Sequence, residues 1–154
     1  MTARIFHLAI SDGGVPKHAI REGVVGELGI AGDRQKHTKI HGGPDRALCL
    51  YSLELIQKLQ AEGHPIYPGS TGENVTISGL PWASLAAGTH LALGDEVEVE
   101  LTWVSEPCKS IQESFIGHAI KRLEVPGEMR WYCRIVRPGT LRVAQVVQVL
   151  APTI

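Results

Sequence analysis

Cysteine is scarce in this chain and odd in number: Cys49, Cys108 and Cys133 stand alone, with no C-x-x-C and no His-x-x-x-His spacing. That pattern argues against a disulfide framework or a structural zinc site, and it makes a reducing compartment the natural setting. Long apolar runs are missing as well. No stretch approaches the roughly 18 residues that a membrane span requires. Met1-Thr2-Ala3-Arg4-Ile5-Phe6-His7 lacks the apolar centre of a secretory signal, so the chain is expected in the cytoplasm, away from membranes. Excess charge of one sign is absent too, the formal net charge being -1, which argues against a general nucleic-acid or anionic-membrane binder. No low-complexity tract, internal repeat or long linker divides the sequence, and there is no P-loop. Gly23, Gly26 and Gly29 neither follow a strand pattern nor lead into a helix, so a dinucleotide-binding loop is rejected.

What remains is an ordinary globular composition, 44% hydrophobic and 20% charged over 154 residues, enough for one domain with a sizeable core. Short strand-like runs dominate: Arg4 to Ile10, Ala47 to Tyr51, Asn74 to Ile77, His90 to Leu93, Glu96 to Val104, Trp131 to Val136 and Ala144 to Leu150. The alternation of Glu96-Val97-Glu98-Val99-Glu100-Leu101 predicts glutamates toward water and valines toward a core. With no strand-helix-strand rhythm, the pattern reads as a closed or nearly closed barrel and disfavours a doubly wound sheet. Two helices are predicted. One runs from Leu53 to Gln60, with Ser52 as its N-cap and Gly63 as its stop. The other opens on the capping-box pattern Ser110-Ile111-Gln112-Glu113 and continues to Leu123, before Pro126. Its positive end would face Cys108 and favour a thiolate or a bound anion there.

Two segments concentrate chemistry. Ile40-His41-Gly42-Gly43-Pro44-Asp45-Arg46-Ala47-Leu48 packs an imidazole, two glycines and an Asp-Arg pair into a turn, and Glu106-Pro107-Cys108-Lys109 sets a thiol beside a proline and a lysine. Arg34, Lys36, Lys39 and Arg46, with His37 and His41 between them, suit a small anionic ligand, although a solvated basic loop would look the same. The imidazole of His41 is of the type that can exchange protons near neutral pH, and Arg46 can grip a carboxylate or phosphate with two donors. The plainer alternatives are a turn histidine satisfied by backbone and an Asp45-Arg46 ion pair that secures the turn. Glu73 and Asn74 follow a glycine-containing loop and read either as ligand contacts or as turn chemistry. Gly94-Asp95 reads as a hairpin turn. Cys49 and Cys133 lie in strand-like apolar runs and read as small core residues, whereas Cys108 lies between a strand and a helix.

Short segments also follow one another in a set order: Gly29-Ile30-Ala31-Gly32-Asp33-Arg34, the His-Gly-Gly-Pro-Asp-Arg run, Gly72-Glu73-Asn74-Val75, Gly94-Asp95-Glu96-Val97 and Pro107-Cys108. In that order, from about Ile5 to Val149, the chain resembles the MOSC family, the domain named after the C-terminal part of molybdenum cofactor sulfurases. The resemblance implies a single MOSC domain over residues 1–154, mainly β, built as a mostly antiparallel β-barrel with two or three peripheral helices. It also implies a molybdenum-molybdopterin cofactor with Cys108 as the metal's candidate ligand, the softness of thiolate suiting a sulfur-rich centre. Cys108, His41 and Asp45 form the implied catalytic set, and Arg46, Gly42, Gly43, Glu73, Asn74 and Lys109 the implied cofactor-binding set. The activity it implies is reduction of N-hydroxylated or N-oxygenated small molecules, with electrons from a separate donor protein. Two alternatives stay open: a sulfur carrier or cofactor-delivery module, with a persulfide on Cys108 and a sulfur-donor partner, and an anion-binding barrel without chemistry. The pyridoxal-phosphate half of the sulfurases has no counterpart in these residues.

Overall fold

Branched and aromatic runs punctuated by glycine and proline become eleven strands and one α-helix among residues 2–34 and 43–151, which the computed structural model describes. In chain order they are β1 (Arg4–Ile10), β2 (His18–Ile20), β3 (Glu22–Gly26), β4 (Gly29–Ile30), β5 (Leu48–Ser52), α1 (Leu53–Ala61), β6 (Val75–Ser78), β7 (His90–Leu93), β8 (Val97–Ser105), β9 (Arg130–Arg137), β10 (Gly139–Arg142) and β11 (Val147–Val149). Eight of them form one sheet in the order β11-β7-β8-β9-β5-β6-β1-β2, and β10-β3-β4 form a second. Every pairing is antiparallel except β5 with β6, which the α1 crossover makes parallel.

The predicted barrel is corrected to a mainly β fold of two sheets, because no continuous ladder closes the larger one. Its far strands are stitched only locally. Arg4 and Val146 form an isolated bridge, Val147 N–H donates to Ala3 O at 2.9 Å, and Ile5 N–H donates to Gln145 O at 2.9 Å. The core lies against the large sheet, where Leu8, Leu48, Leu50, Ile77, Leu91 and Val99 are all fully buried. In β8, Val97, Val99 and Leu101 are buried, as their alternation predicts. The glutamates between them find partners: Glu98 meets His90 Nδ1 at 2.8 Å, and Glu100 accepts from Arg134 Nε at 2.8 Å.

Helix α1 begins where expected, with Leu55 N–H donating to the Ser52 hydroxyl at 3.2 Å and Gly63 following at φ 96°. The second predicted helix, Ser110 to Leu123, does not form. Its residues make three 3-10 turns, Lys109–Ser114, Ile116–His118 and Ile120–Glu124. Phe115 is extended, and Gly117 and His118 take positive φ, so the i→i−4 ladder never propagates. The apolar periodicity was still a burial signal, since Ile111, Phe115 and Leu123 enter the core. Strands β2, β3, β4 and β10 escape the sequence pattern because they are short, with glycine in all but β2. Residues 139–142 form their own strand against β3 instead of running directly into β11.

Candidate functional site

A pocket of about 520 Å³, counting its open mouth, lies where the ends of β5, β8 and β9 meet the loops Gly14–Lys17 and Thr71–Gly72. Cys49 comes from β5, Arg130 and Tyr132 from β9, Ser105 from the end of β8, and Cys108, Ser110 and Ile111 from the 3-10 cover that follows it. Cys108 is half-buried, and its Sγ lies 2.7 Å from the Ser110 hydroxyl, the side chain that the sequence pattern had assigned to a capping box. The turn after it has six residues and is not α-helical, so the expected α-helix end does not face this thiol.

Behind the pocket wall is a buried polar network. Lys17 Nζ pairs with Asp33 Oδ1 at 2.6 Å, both side chains being 5% exposed or less. Asp33 Oδ1 also accepts from Ser11 N–H, and Asp33 Oδ2 accepts from Asn74 Nδ2 at 2.9 Å. Asn74, fully buried, completes its bonding by donating to Ala9 O and accepting from Cys49 N–H at 3.0 Å. It therefore fixes the backbone of a pocket residue and does not line the pocket. Gly69 permits this packing. At φ 89° it brings its backbone against Lys17 O, where an added Cβ would sit 2.7 Å from that oxygen.

Glu73 is fully buried one layer behind Thr71, whose hydroxyl donates to its Oε1 at 2.8 Å. Burial pushes its carboxyl above the usual carboxylate range, opposed by the Thr71 bond and nearby backbone N–H groups. Its Oε2 has no partner among the described residues. Arg130, 4% exposed, donates from Nη1 to Thr71 O and from Nη2 to Ser105 O, while its Nε likewise has no partner there. Burial also pushes the Cys49 thiol up to about 11 and raises Tyr132 and Cys133.

The sequence-predicted residues divide accordingly. Cys108 lines the pocket. Arg46 does not line the pocket; its guanidinium lies 5.3 Å from the ring centre of Trp103 and 5.7 Å from that of Tyr132, itself a pocket residue. No ion pair joins Arg46 to Asp45 among the described residues. Asp45 is exposed, and its carbonyl accepts from the Thr102 hydroxyl at 2.6 Å, holding the Pro44–Arg46 turn against β8. Gly43 is exposed at φ 96° before that turn, and Lys109 is exposed beside Cys108. His41 and Gly42 lie outside the described residues. Lys17, Thr71, Tyr132 and Cys49 were not expected at the site. Arg130 carried a signal only as one of several positive charges near the end of the chain.

No group of three or more His, Cys, Asp or Glu side chains able to hold a metal occurs among the described residues. Nor is any helix among them long and apolar enough to cross a membrane.

Comparison with known proteins gives this arrangement a context. A profile of the MOSC domain matches residues 37–148. The chain is 28% identical over 118 residues to Protein YiiM of Escherichia coli, covering 73% of this chain and 52% of that protein. It is 28% identical over 110 residues to the uncharacterized protein YflK of Bacillus subtilis, covering 70% and 49%. A Gibberella moniliformis protein named Reductase matches at 27% over 127 residues, 79% of this chain and 22% of that one. The chain thus spans about half the length of the first two relatives. Among solved structures, YiiM from Geobacillus stearothermophilus superposes with a TM-score of 0.77 at 20% identity, covering 97% of this chain and 75% of that one. The YUAD protein of Bacillus subtilis gives 0.76 at 21%, covering 99% and 98%. At those identities the likeness is one of fold.

Proposed function

The chain belongs to the MOSC domain family, and from that premise we propose that it binds a mononuclear molybdenum-pterin cofactor through Cys108 and reduces N-hydroxylated or N-oxygenated small molecules. The observation that carries this reading is the pairing of a half-exposed thiol at the pocket mouth with a buried guanidinium whose Nε lacks a partner among the described residues. An anionic, sulfur-rich ligand satisfies both: thiolate suits a soft metal, and the cation offsets the ligand's charge. One thiol with no cluster of protein ligands around it among the described residues fits a metal that brings most of its ligands in its own organic group. When bound, such a cofactor supplies two-electron redox chemistry that no side chain offers.

The protein's own residues do the rest. Cys108 holds the group, with the Ser110 hydroxyl 2.7 Å from its sulfur. Arg130 and the Asp33-paired Lys17 are the cationic groups of the pocket lining, and Arg46 stacks on Trp103 and on the pocket residue Tyr132. Lys109 and the Gly42–Gly43 backbone offer further donors to anionic parts of the cofactor. His41 would exchange the protons that removal of a hydroxyl as water consumes, and Asp45 would orient a pterin N–H. Glu73 and Asn74 act from behind the wall. Electrons arrive from a separate donor protein, and no step calls for pyridoxal phosphate. The fungal relative named Reductase supports the redox assignment.

The test is to produce the chain in cells that make the molybdenum cofactor, then assay it with an artificial reductant against a panel of N-hydroxylated compounds. Reduction dependent on bound molybdenum is the expected result. A protein free of molybdenum that instead carries one extra sulfur atom on Cys108 would replace the reductase with a sulfur carrier.

A further inference from the structure

The buried charges around the pocket come in two pairs of different character. Lys17 and Asp33 form a direct ion pair at 2.6 Å. Arg130 and Glu73, 4% and 0% exposed, are joined only through Thr71, whose carbonyl accepts from the guanidinium and whose hydroxyl donates to the carboxyl. Each member of this second pair keeps one polar atom without a partner among the described residues, a donor on Arg130 and an acceptor on Glu73. Arg130 lines the pocket and Glu73 does not. The other titratable groups near this pair are Cys49 and Tyr51 on β5 and Tyr132 on β9, each kept neutral by burial, Lys17, whose charge Asp33 already balances, and Glu106 and Cys108, which line the pocket with Arg130.

We infer that a compact oxyanion binds in the pocket beside Arg130 and that Glu73 takes up a proton as it does so. With Asp33 paired to Lys17 and Glu106 on the pocket lining exposed to solvent, Glu73 is the buried acid, among the described groups, left to balance Arg130. An oxyanion arriving on the pocket side takes over that balance, and two anions around one buried cation are unfavourable in a low-dielectric wall. Glu73 then becomes neutral. One proton enters from solvent for each anion bound, an O–H bond forms on Glu73, and no other bond changes. Burial already inclines that carboxyl to hold a proton, so little has to change for it to respond. The geometry is suited to such coupling, because Thr71 touches both partners and itself lines the pocket. This inference shares Arg130 with the cofactor reading but needs neither molybdenum nor Cys108, so the sulfate measurement and the metal analysis fail separately.

Inorganic sulfate is the probe, because its charge is constant near neutral pH. Binding to the full chain is followed by calorimetry in buffers of different ionisation enthalpy and by the Arg130 Nε–H resonance. The wild type is expected to shift that resonance and to take up close to one proton per sulfate at its most coupled pH. Affinity there should rise about tenfold for each unit of pH lowered. Glu73→Gln, nearly isosteric and unable to ionise, is expected to bind sulfate with no proton uptake and no such pH dependence. Sulfate that fails to bind, or binds without moving the Arg130 signal, overturns the site. Proton uptake undiminished in Glu73→Gln would assign the proton to another group and overturn the coupling.

Discussion

Asn74 Nδ2 donates to Asp33 Oδ2 at 2.9 Å across forty-one residues of sequence, and the same amide accepts from the backbone of Cys49. Through this one side chain the Lys17–Asp33 ion pair, the β1 carbonyl of Ala9 and a pocket residue on β5 are held in register.

Asn74→Ala removes three hydrogen bonds, two of them fully buried, and leaves the Cys49 N–H and one Asp33 oxygen without their partner. The expected loss is about 2–4 kcal/mol of stability, read as a lower urea midpoint with an unchanged slope. A change below about 0.5 kcal/mol would remove Asn74 from its structural role.

Glu73 gives the chain a characteristic pH dependence. Its carboxyl is raised by burial, so the folded chain binds the proton more tightly than the unfolded chain. Its contribution is fullest below the unfolded carboxyl value of about 4.3 and is lost as pH rises through the folded value. Unfolding free energy of the wild type should therefore fall, relative to Glu73→Gln, across that interval. Parallel stability-against-pH curves for the two proteins would contradict it.

The three thiols should separate by access. Cys49 and Cys133 are buried and Cys108 is half-exposed. Burial pushes Cys49 up to about 11 and Cys133 higher still. Brief treatment of the native protein with iodoacetamide at neutral pH should label Cys108 alone, with the other two labelled only after unfolding. Peptide mass spectrometry reads the result, and equal labelling of Cys49 would mean that the pocket opens far enough to admit reagent.

Arg46 is held by aromatic faces, so its charge alone is not enough. A double-mutant cycle between Arg46→Ala and Trp103→Ala should give a coupling of about 0.5–1 kcal/mol, and Arg46→Lys should lose part of it despite keeping the charge. Strictly additive effects would show that the stack contributes nothing.

Local features were legible in the sequence wherever one segment sufficed to define them. The β8 alternation, the Ser52 cap of α1 and the isolation of Cys108 from the two strand cysteines all depend on neighbours within a few positions. The inner wall was not legible, because its bonds join distant segments: Arg130 reaches Thr71 across fifty-nine residues. Glu73 and Asn74 looked like rim residues because glycines precede them, yet those glycines let the backbone fold them inward. The Ser110 to Leu123 pattern misled for a related reason. Spacing that matches one face of an α-helix also fits a folded-back 3-10 cover with the same residues buried, and Gly117 with extended Phe115 selects the latter.

Cys108 carries the central claim, and metal analysis of two proteins made side by side in cofactor-producing cells tests it most directly. The wild type is predicted to hold molybdenum near one atom per chain. Cys108→Ser, whose hydroxyl stays protonated and is a poor ligand for a soft metal, is predicted to lose it while remaining folded. Equal molybdenum in both proteins would contradict the assignment of Cys108 as the ligand.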